Sequence, residues 1–291
     1  MSALARKPAP QQASLVEGEF AFTAQDFERI ASALYERAGI HLTEAKAALV
    51  YSRLAKRIRQ LGLPDFRSYC DLFESPDGVG ETDNLLTALT TNVTRFFREP
   101  HHFDHLRDHV LAPMVDAMRA GARVRLWSAA SSTGQEPYTM ALTLAALVPE
   151  AADLDVRILA TDIDRRVLKT GQEAIYNETL LDDVPPALRG RGFERMADGR
   201  WRVRESIRRL VSFRELNLIG TWPMKGPFQA IFCRNVVIYF DEPTQEKVWR
   251  RFAPLLAPGG RLYIGHSERI NPSERAYEPD GLTTYRRTRE A

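Results

Sequence analysis

Apolar residues recur at helical spacing near the start of the chain, with polar and small residues as punctuation. Phe27, Ile30, Leu34 and Ala38 form one stripe, the spacing of a helix that buries a single face. Thr23 and Asp26 precede it as a capping box, with Asp in place of the commoner Glu or Gln, and Gly39 is positioned to end it. A second stripe, Ala47, Val50, Leu54, Ile58 and Leu61, predicts a helix from Thr43 to Leu61 that stops at Gly62 and Pro64. Shorter periodic stretches cover Phe66 to Phe73 and Thr82 to Leu89. The pattern predicts a small all-α domain over residues 20–90. It is preceded by a Pro-, Gln- and Ala-rich tail, residues 1–19, read as disordered.

After a connecting stretch, residues 91–100, the period changes. Pro100 suits the first turn of a helix that carries Phe103, Leu106, Val110 and Met114 and stops at Gly121. Strand signals then alternate with helical ones. Val124–Ala129 reads as a strand, Gln135–Leu147 as a helix, Val156–Thr161 as a strand and the residues through Val167 as a helix. Ala230–Cys233 is a further strand before a helix near Pro243, and Leu262–Ile264 follows a Gly259-Gly260 turn. Alternation of this length implies parallel βαβ units, so residues 101–291 are expected to form an α/β, doubly wound, Rossmann-like sheet. An Arg-rich segment at about 177–212 interrupts it. There Arg200, Arg202 and Arg204 alternate with Trp201 and Val203, the period of a short strand in a small β insertion.

Charge narrows the functional classes. The 291 residues include 40 basic and 38 acidic ones, a net charge of +2, which argues against a nucleic-acid binder. No segment approaches the roughly 20 apolar residues that span a bilayer, so no membrane insertion is expected. Met1 to Gln12 contains Arg6, Lys7, Pro8 and Pro10 without an apolar core and is not read as a secretory signal. Cys70 and Cys233 lie too far apart in sequence to build a disulfide framework or a zinc site alone. A cytoplasmic, monomeric protein is expected.

In open α/β sheets ligands sit beyond the carboxyl ends of the strands. The first strand feeds Ala130-Ser131-Ser132-Thr133-Gly134, whose small side chains admit a ligand to the backbone and to the free N–H groups of the next helix. The second ends at Asp162, where a carboxylate can accept both hydroxyls of an adenosyl ribose. The loop has one glycine rather than the three of a dinucleotide fingerprint. Two readings stay open on spacing alone, an adenosyl site and an ordinary acidic strand end. Cys233-Arg234-Asn235 puts polar groups at the carboxyl end of a later strand, where the same rule places the cleft; Val236 to Phe240 also reads as core for most of its side chains, and Asn235 and Tyr239 carry the hydrogen-bonding ends.

Five stretches in order carry a resemblance: Asn92-Val93-Thr94-Arg95-Phe96-Phe97-Arg98, residues 127–138 from Trp127 through Glu136 to Tyr138, Ala160-Thr161-Asp162-Ile163-Asp164, residues 232–240 and Gly265-His266-Ser267-Glu268. From about Phe22 to Arg287 the chain resembles the CheR family, chemotaxis receptor glutamate O-methyltransferases that use S-adenosylmethionine and release S-adenosylhomocysteine. The resemblance implies that Asn92, Thr94 and Arg98 contact or close over the cofactor. It implies that Glu136 binds the cofactor's amino-acid end, Asp162 the ribose, Asn217 and Leu218 the adenine, and that Asn235 with Val236 completes the pocket. Gln135 stands where the family commonly has an acidic residue. Arg98 is the candidate for orienting the substrate carboxylate, because a guanidinium does so bidentately, and Tyr239 is a second candidate for positioning substrate. The implied partner is the cytoplasmic domain of transmembrane chemoreceptors.

Residues 44–63 hold five basic side chains and one acid. Lys46, Arg53, Lys56 and Arg57 on the second predicted helix read either as a solvated face or, with the resemblance, as the surface that docks the receptor. In some family members the β insertion grips a receptor pentapeptide tether. The short Met196-Ala197-Asp198-Gly199 turn here favours tether-independent behaviour. His101, His105 and His109 spread over about 12 Å of helix, too far to share one ion, so they read as a surface stripe and no metal is expected. Two rival functions remain: a non-catalytic S-adenosylmethionine sensor, and a methyltransferase with a partner outside chemotaxis.

Overall fold

A computed structural model describes residues 14–288, and the chain divides into two compact units that meet between Thr90 and Thr91. The predicted tail lies outside the described residues as far as residue 13. Ser14 to Glu19 departs from the prediction, because it is fastened to the helical unit. Ser14 bridges Thr23, the Leu15 N–H donates to the Phe22 carbonyl at 2.7 Å, and Glu19 pairs with Arg59.

The first unit contains α1 (Ala24–Ala38), α2 (Ala47–Leu61), α3 (Phe66–Glu74) and α4 (Val79–Leu89). The capping box at α1 is formed in both directions. The Thr23 N–H donates to Asp26 at 2.9 Å, the Asp26 N–H donates to Thr23 Oγ1 at 3.3 Å, and Gly39 closes the helix in the left-handed region. The stripe of α2 is buried from Ala47 to Ile58 as its period requires, with Leu61 half-buried at the helix end, but Thr43 does not start the helix. Glu44–Lys46 is a 3-10 turn, which leaves Lys46 at the end of α2 rather than on its face. Phe22 packs on Phe66 with ring centroids 4.2 Å apart. One polar cluster sits in this interior. Glu81, 7% exposed, accepts from Arg57 at 2.9 and 2.6 Å, from the Tyr69 hydroxyl at 3.0 Å and from Asn84 at 3.0 Å.

The second unit opens with α5 (His101–His105), a π turn (Leu106–Leu111) and, after a 3-10 turn, α6 (Val115–Arg119). The sequence predicted one unbroken helix here. Pro113 explains the break: it has no N–H to donate and its ring crowds the preceding turn, so the backbone widens and the Ala112 N–H reaches back to Arg107. There follow β1 (Val124–Ala129), α7 (Gln135–Leu147), β2 (Val156–Asp162), α8 (Arg165–Glu173), β3 (Ile175–Tyr176), α9 (Pro186–Gly192), β4 (Phe193–Arg195), β5 (Trp201–Val203), α10 (Glu205–Arg208), β6 (Val211–Glu215), β7 (Phe228–Cys233), α11 (Glu242–Phe252), β8 (Leu256–Ile264), β9 (Tyr277–Gly281) and β10 (Thr284–Arg287).

Seven strands make the main sheet in the order β6-β2-β1-β7-β8-β10-β9. The first five run parallel, and β10 is antiparallel to both its neighbours. The strand order reverses between β1 and β7, which opens a crevice beyond their carboxyl ends. Side chains alternate across β1. Ser128 turns towards Glu136 of α7, and Trp127 packs against Phe252 of α11 with centroids 5.1 Å apart. The inserted sheet, β3-β5-β4, ends at Val203, so the predicted insertion ran too far. Val211–Glu215 is an edge strand of the main sheet, in register with Ile158–Asp162. The Gly259-Gly260 pair lies inside β8, whose pairing with β7 shifts register there, rather than in a turn before it.

Replacing Glu81 by Ala strips Arg57, Tyr69 and Asn84 of their acceptor. Arg57 is about a third exposed, so solvent screens part of that loss; a destabilisation of about 2 kcal/mol is expected in urea titrations. Burial pushes the Glu81 carboxyl up, but the hydrogen bonds from Arg57, Asn84 and Tyr69 outweigh it and hold the pKa below the ordinary value. The stabilisation is therefore full above a pH of about 4.3 and fades as the pH falls through the lower native pKa. Equal urea midpoints for the two proteins at pH 7 would remove Glu81 from this account.

Candidate functional site

The predicted cofactor residues in the second unit come from one end of its sheet. Asp162 closes β2, Glu136 lies in the first turn of α7, Asn217 and Leu218 follow β6, and Asn235 and Val236 follow β7. Asn92, Thr94 and Arg98 lie on the segment that leads into α5, and it is pinned to the same end. Asn92 Nδ2 donates to Asp164 at 3.2 Å, Ser132 Oγ donates to the Asn92 carbonyl at 2.8 Å and the Phe97 N–H donates to Thr139 Oγ1 at 3.2 Å. The Phe96 ring is buried edge-on against Tyr176 and Phe193, with centroids 5.1 and 5.4 Å away. Thr94, Arg98 and Tyr239 are half-buried.

The backbone is strained here in a concentrated way. Of the seven non-glycine residues with positive φ among the described residues, Phe97, Glu99, Ala130, Ser132 and Asn235 lie in these segments, and such outliers cluster where a binding site over-determines the chain. Gly134 also needs its missing side chain: φ is +97°, and a Cβ would stand 2.9 Å from the Tyr176 hydroxyl.

Asp162 is buried at the crevice, Glu136 and Glu99 are half-buried beside it, and each is held differently. Asp162 is 7% exposed and takes the Ser132 N–H at 2.8 Å and the Asp164 N–H at 3.0 Å. Burial nevertheless pushes its pKa up to about 6. Glu136 accepts from Ser128 Oγ at 2.7 Å and lies 3.5 Å from the guanidinium of Arg234; burial raises its pKa against both. Glu99 lies 3.8 Å from Arg234 and 3.1 Å from His266, and their attraction outweighs burial to hold its pKa low. Arg234, 6% exposed, also donates to the Arg98 carbonyl.

The sequence places Arg234 at the cleft end of a strand without a role; its tie to Glu99, Glu136 and the Arg98 carbonyl appears only when β7, the segment before α5 and α7 come together. Two other readings change. Arg53 donates to the carbonyls of Leu89 and Thr90 at 2.7 and 3.3 Å, and Arg57 is held by Glu81, so both serve the helical unit itself. Lys46 and Lys56 remain exposed. The histidines do not form a surface stripe. His102 is fully buried, His105 bonds the Tyr263 hydroxyl at 3.0 Å, and only His109 of the predicted stripe is exposed. Glu99, His101 and His102 bring ligand-type atoms within 4.8 Å of one another. Arg234 supplies positive charge at Glu99 from 3.8 Å.

Parallel strands reversing at β1 and β7, a small-residue loop into α7 and an acidic end to β2 define a doubly wound domain of the nucleoside-cofactor class. Acceptors suited to hydroxyls and ammonium at Asp162 and Glu136, with the amides of Asn92, Asn217 and Asn235, fit S-adenosylmethionine. The sequence matches "CheR methyltransferase, all-alpha domain" over residues 25–90 and "CheR methyltransferase, SAM binding domain" over residues 92–286. The chain belongs to the CheR methyltransferase family. A "Probable chemotaxis protein methyltransferase" of Rhizobium etli is 54% identical over 259 residues, which cover 88% of this chain and 97% of that protein. The "Chemotaxis protein methyltransferase" of Escherichia coli is 44% identical, with 89% of each chain covered. The "Chemotaxis protein methyltransferase 2" of Pseudomonas aeruginosa is 41% identical, covering 92% of this chain and 94% of its own.

Arg234→Met keeps the bulk and removes the cation between Glu99 and Glu136. A loss of about 3–5 kcal/mol is expected from the carboxylates left buried without a counter-charge, read from the urea midpoint of the full chain. A loss under about 1 kcal/mol would mean that the ion cluster is not what holds these segments together.

Proposed function

We propose that this chain is a cytoplasmic, monomeric protein-glutamate O-methyltransferase. It transfers a methyl group from S-adenosylmethionine to glutamate side chains of chemoreceptor cytoplasmic domains and leaves methyl esters and S-adenosylhomocysteine. The observation that carries the reading is the convergence of Asp162, Glu136, Asn235 and the Arg98 segment at one end of the sheet, in a chain whose relatives are named chemotaxis protein methyltransferases.

When bound, S-adenosylmethionine supplies an electrophilic methyl group on a sulfonium. Asp162 accepts the ribose hydroxyls, Asn217 and Leu218 border the adenine and Glu136 takes the amino-acid end. Asn92, Thr94, Asn235 and Val236 complete the pocket. A substrate glutamate has a pKa of about 4.3 and is ionised at neutral pH, so the protein needs no general base. Its residues must align and dehydrate the carboxylate, effects that together supply about 7–11 kcal/mol. Arg98 orients the carboxylate through its guanidinium, which also donates to the Val93 carbonyl at 3.0 Å. A moderate grip serves better than a tight one, because only interactions that strengthen in the transition state speed the reaction. Tyr239, in the turn that follows β7 at the same end of the sheet, positions the substrate.

Incubation with methyl-labelled S-adenosylmethionine and a receptor cytoplasmic domain should give label that mild base releases. Label that survives base would exclude a carboxyl ester, and cofactor binding without transfer to any receptor would favour the sensor reading. In the same assay Arg98→Ala should lower transfer by about a hundredfold or more with an unchanged melting temperature; wild-type turnover would take Arg98 out of the reaction.

For docking, the free charges Lys46 and Lys56 are the candidates, with Arg53 and Arg57 shaping the helix ends beneath them. Attraction across such a face is screened by salt. The double variant Lys46→Glu with Lys56→Glu should raise KM for the receptor several-fold and flatten its salt dependence, with cofactor affinity unaltered. An unchanged KM would place docking elsewhere.

A further inference from the structure

Beyond the carboxyl end of β8 the chain turns through Gly265-His266-Ser267-Glu268 and brings Glu268 beneath the loop that follows β7. Glu268 is 2% exposed. Its Oε1 accepts the N–H groups of Val236 and Val237 at 2.9 and 3.0 Å, and its Oε2 accepts those of Asn235 and Gly265 at 3.0 and 2.5 Å. Four backbone donors thus converge on one carboxylate. Three of them belong to the residues that lead into the Val237–Tyr239 turn, where N–H groups have no partner within the turn.

The geometry makes this more than a convenient capping contact. Asn235 sits at φ +57°, in the left-handed region that Asn enters more readily than other L residues but that still favours a backbone held from outside. Gly265 belongs to the same arrangement: a Cβ there would lie 2.4 Å from Asn235 Nδ2 and 2.8 Å from the Asn235 nitrogen. The strand end of β8 therefore holds that of β7 by close approach at Gly265 and by charge-assisted hydrogen bonds at Glu268. A carboxylate suits this task because it only accepts. An amide of the same shape turns an NH2 group towards N–H donors and gives up half of the cluster.

We propose that Glu268 is a positioning residue for methyl transfer, acting through the backbone of Asn235–Val237 to fix the Asn235 side chain in the cofactor pocket without touching cofactor or substrate. The inference rests on the reading of Asn235 as a pocket residue. In the full chain, Glu268→Gln should weaken binding of S-adenosylhomocysteine by about tenfold in calorimetry, and Asn235→Ala should weaken it at least as much. In the double variant the second substitution should add little, because both act on one contact. A merely structural role for Glu268 would give the same factor in either background. Should Glu268→Gln fail to fold, Gly265→Ala displaces Asn235 from the other side and should reproduce the loss, again only while Asn235 is present.

Wild-type affinity in Glu268→Gln, or in Gly265→Ala where that stands in, would overturn the proposal once Asn235→Ala is seen to bind weakly. Equal losses with and without Asn235 would overturn it as well. Wild-type affinity in Asn235→Ala would instead overturn the pocket reading beneath it.

Discussion

The arrangement of the site depends on how carboxylates taken out of water are met by partners. Moving such a group out of water costs several kcal/mol, and the crevice of the second unit contains Glu99, Glu136, Asp162 and Glu268. Two solutions are used. Arg234 lies between Glu99 and Glu136 and meets them with a buried cation, while Asp162 and Glu268 are met by backbone N–H groups alone. The difference has chemical content. A guanidinium holds both carboxylates and also donates to the Arg98 carbonyl, so one side chain ties α7, the loop after β7 and the Arg98 segment together. Asp162 has no such cation, and its pKa of about 6 records how incompletely the backbone N–H groups offset burial and the neighbouring Asp164 charge. A ligand that donates hydroxyls to Asp162 supplies the missing stabilisation, which couples its binding to the ionised form.

Backbone strain sits in the same places as buried charge. Glu99 and Asn235, both outside the usual region of φ, flank Arg234 in space or in sequence. Such a conformation costs of order 1–3 kcal/mol, and the ion cluster and the Glu268 carboxylate are what oppose its relaxation. Packing contributes from the other side. Phe96 is wedged between Tyr176 and Phe193 of the inserted sheet, so the insertion buttresses the segment that carries Arg98 as well as presenting arginines to solvent.

Much of this was legible along the chain, and the reasons for success and failure are physical. Val124–Ala129 was read with its observed bounds because a largely buried parallel strand is apolar over most of its length, here broken only by the half-buried Arg125, and ends in the small residues Ser128 and Ala129. The β9–β10 pair was missed, since Pro279 and Gly281 remove the strand signature from an edge strand that tolerates both. The π turn was invisible because Leu106, Val110 and Met114 fit an ordinary helix while Pro113 acted locally. For the site, Asp162 and the loop before Gly134 were readable from their place after strands. The ties of Arg234 and Glu268 were not, because the partners lie up to 136 residues away for Arg234 and 31–33 residues away for the β7-loop donors of Glu268. Only the strand order brings such pairs together.

The same distinction governs what the basic residues mean. A count of arginines along residues 177–212 reads as a positive patch, yet Arg189 pairs with Glu178 and lies 4.7 Å over the Trp201 ring, Arg200 pairs with Asp198 and Arg209 with Asp153. On α2, Arg57 is answered by Glu81 and Arg53 by two carbonyls. A paired guanidinium has a much weaker far field than a free ammonium at the same position, so steering of an acidic partner falls to side chains with no acid beside them. That favours Lys46 and Lys56 over the arginines that dominate the sequence count. The 40 basic and 38 acidic residues nearly cancel in sum, and in pairs such as these they also cancel locally.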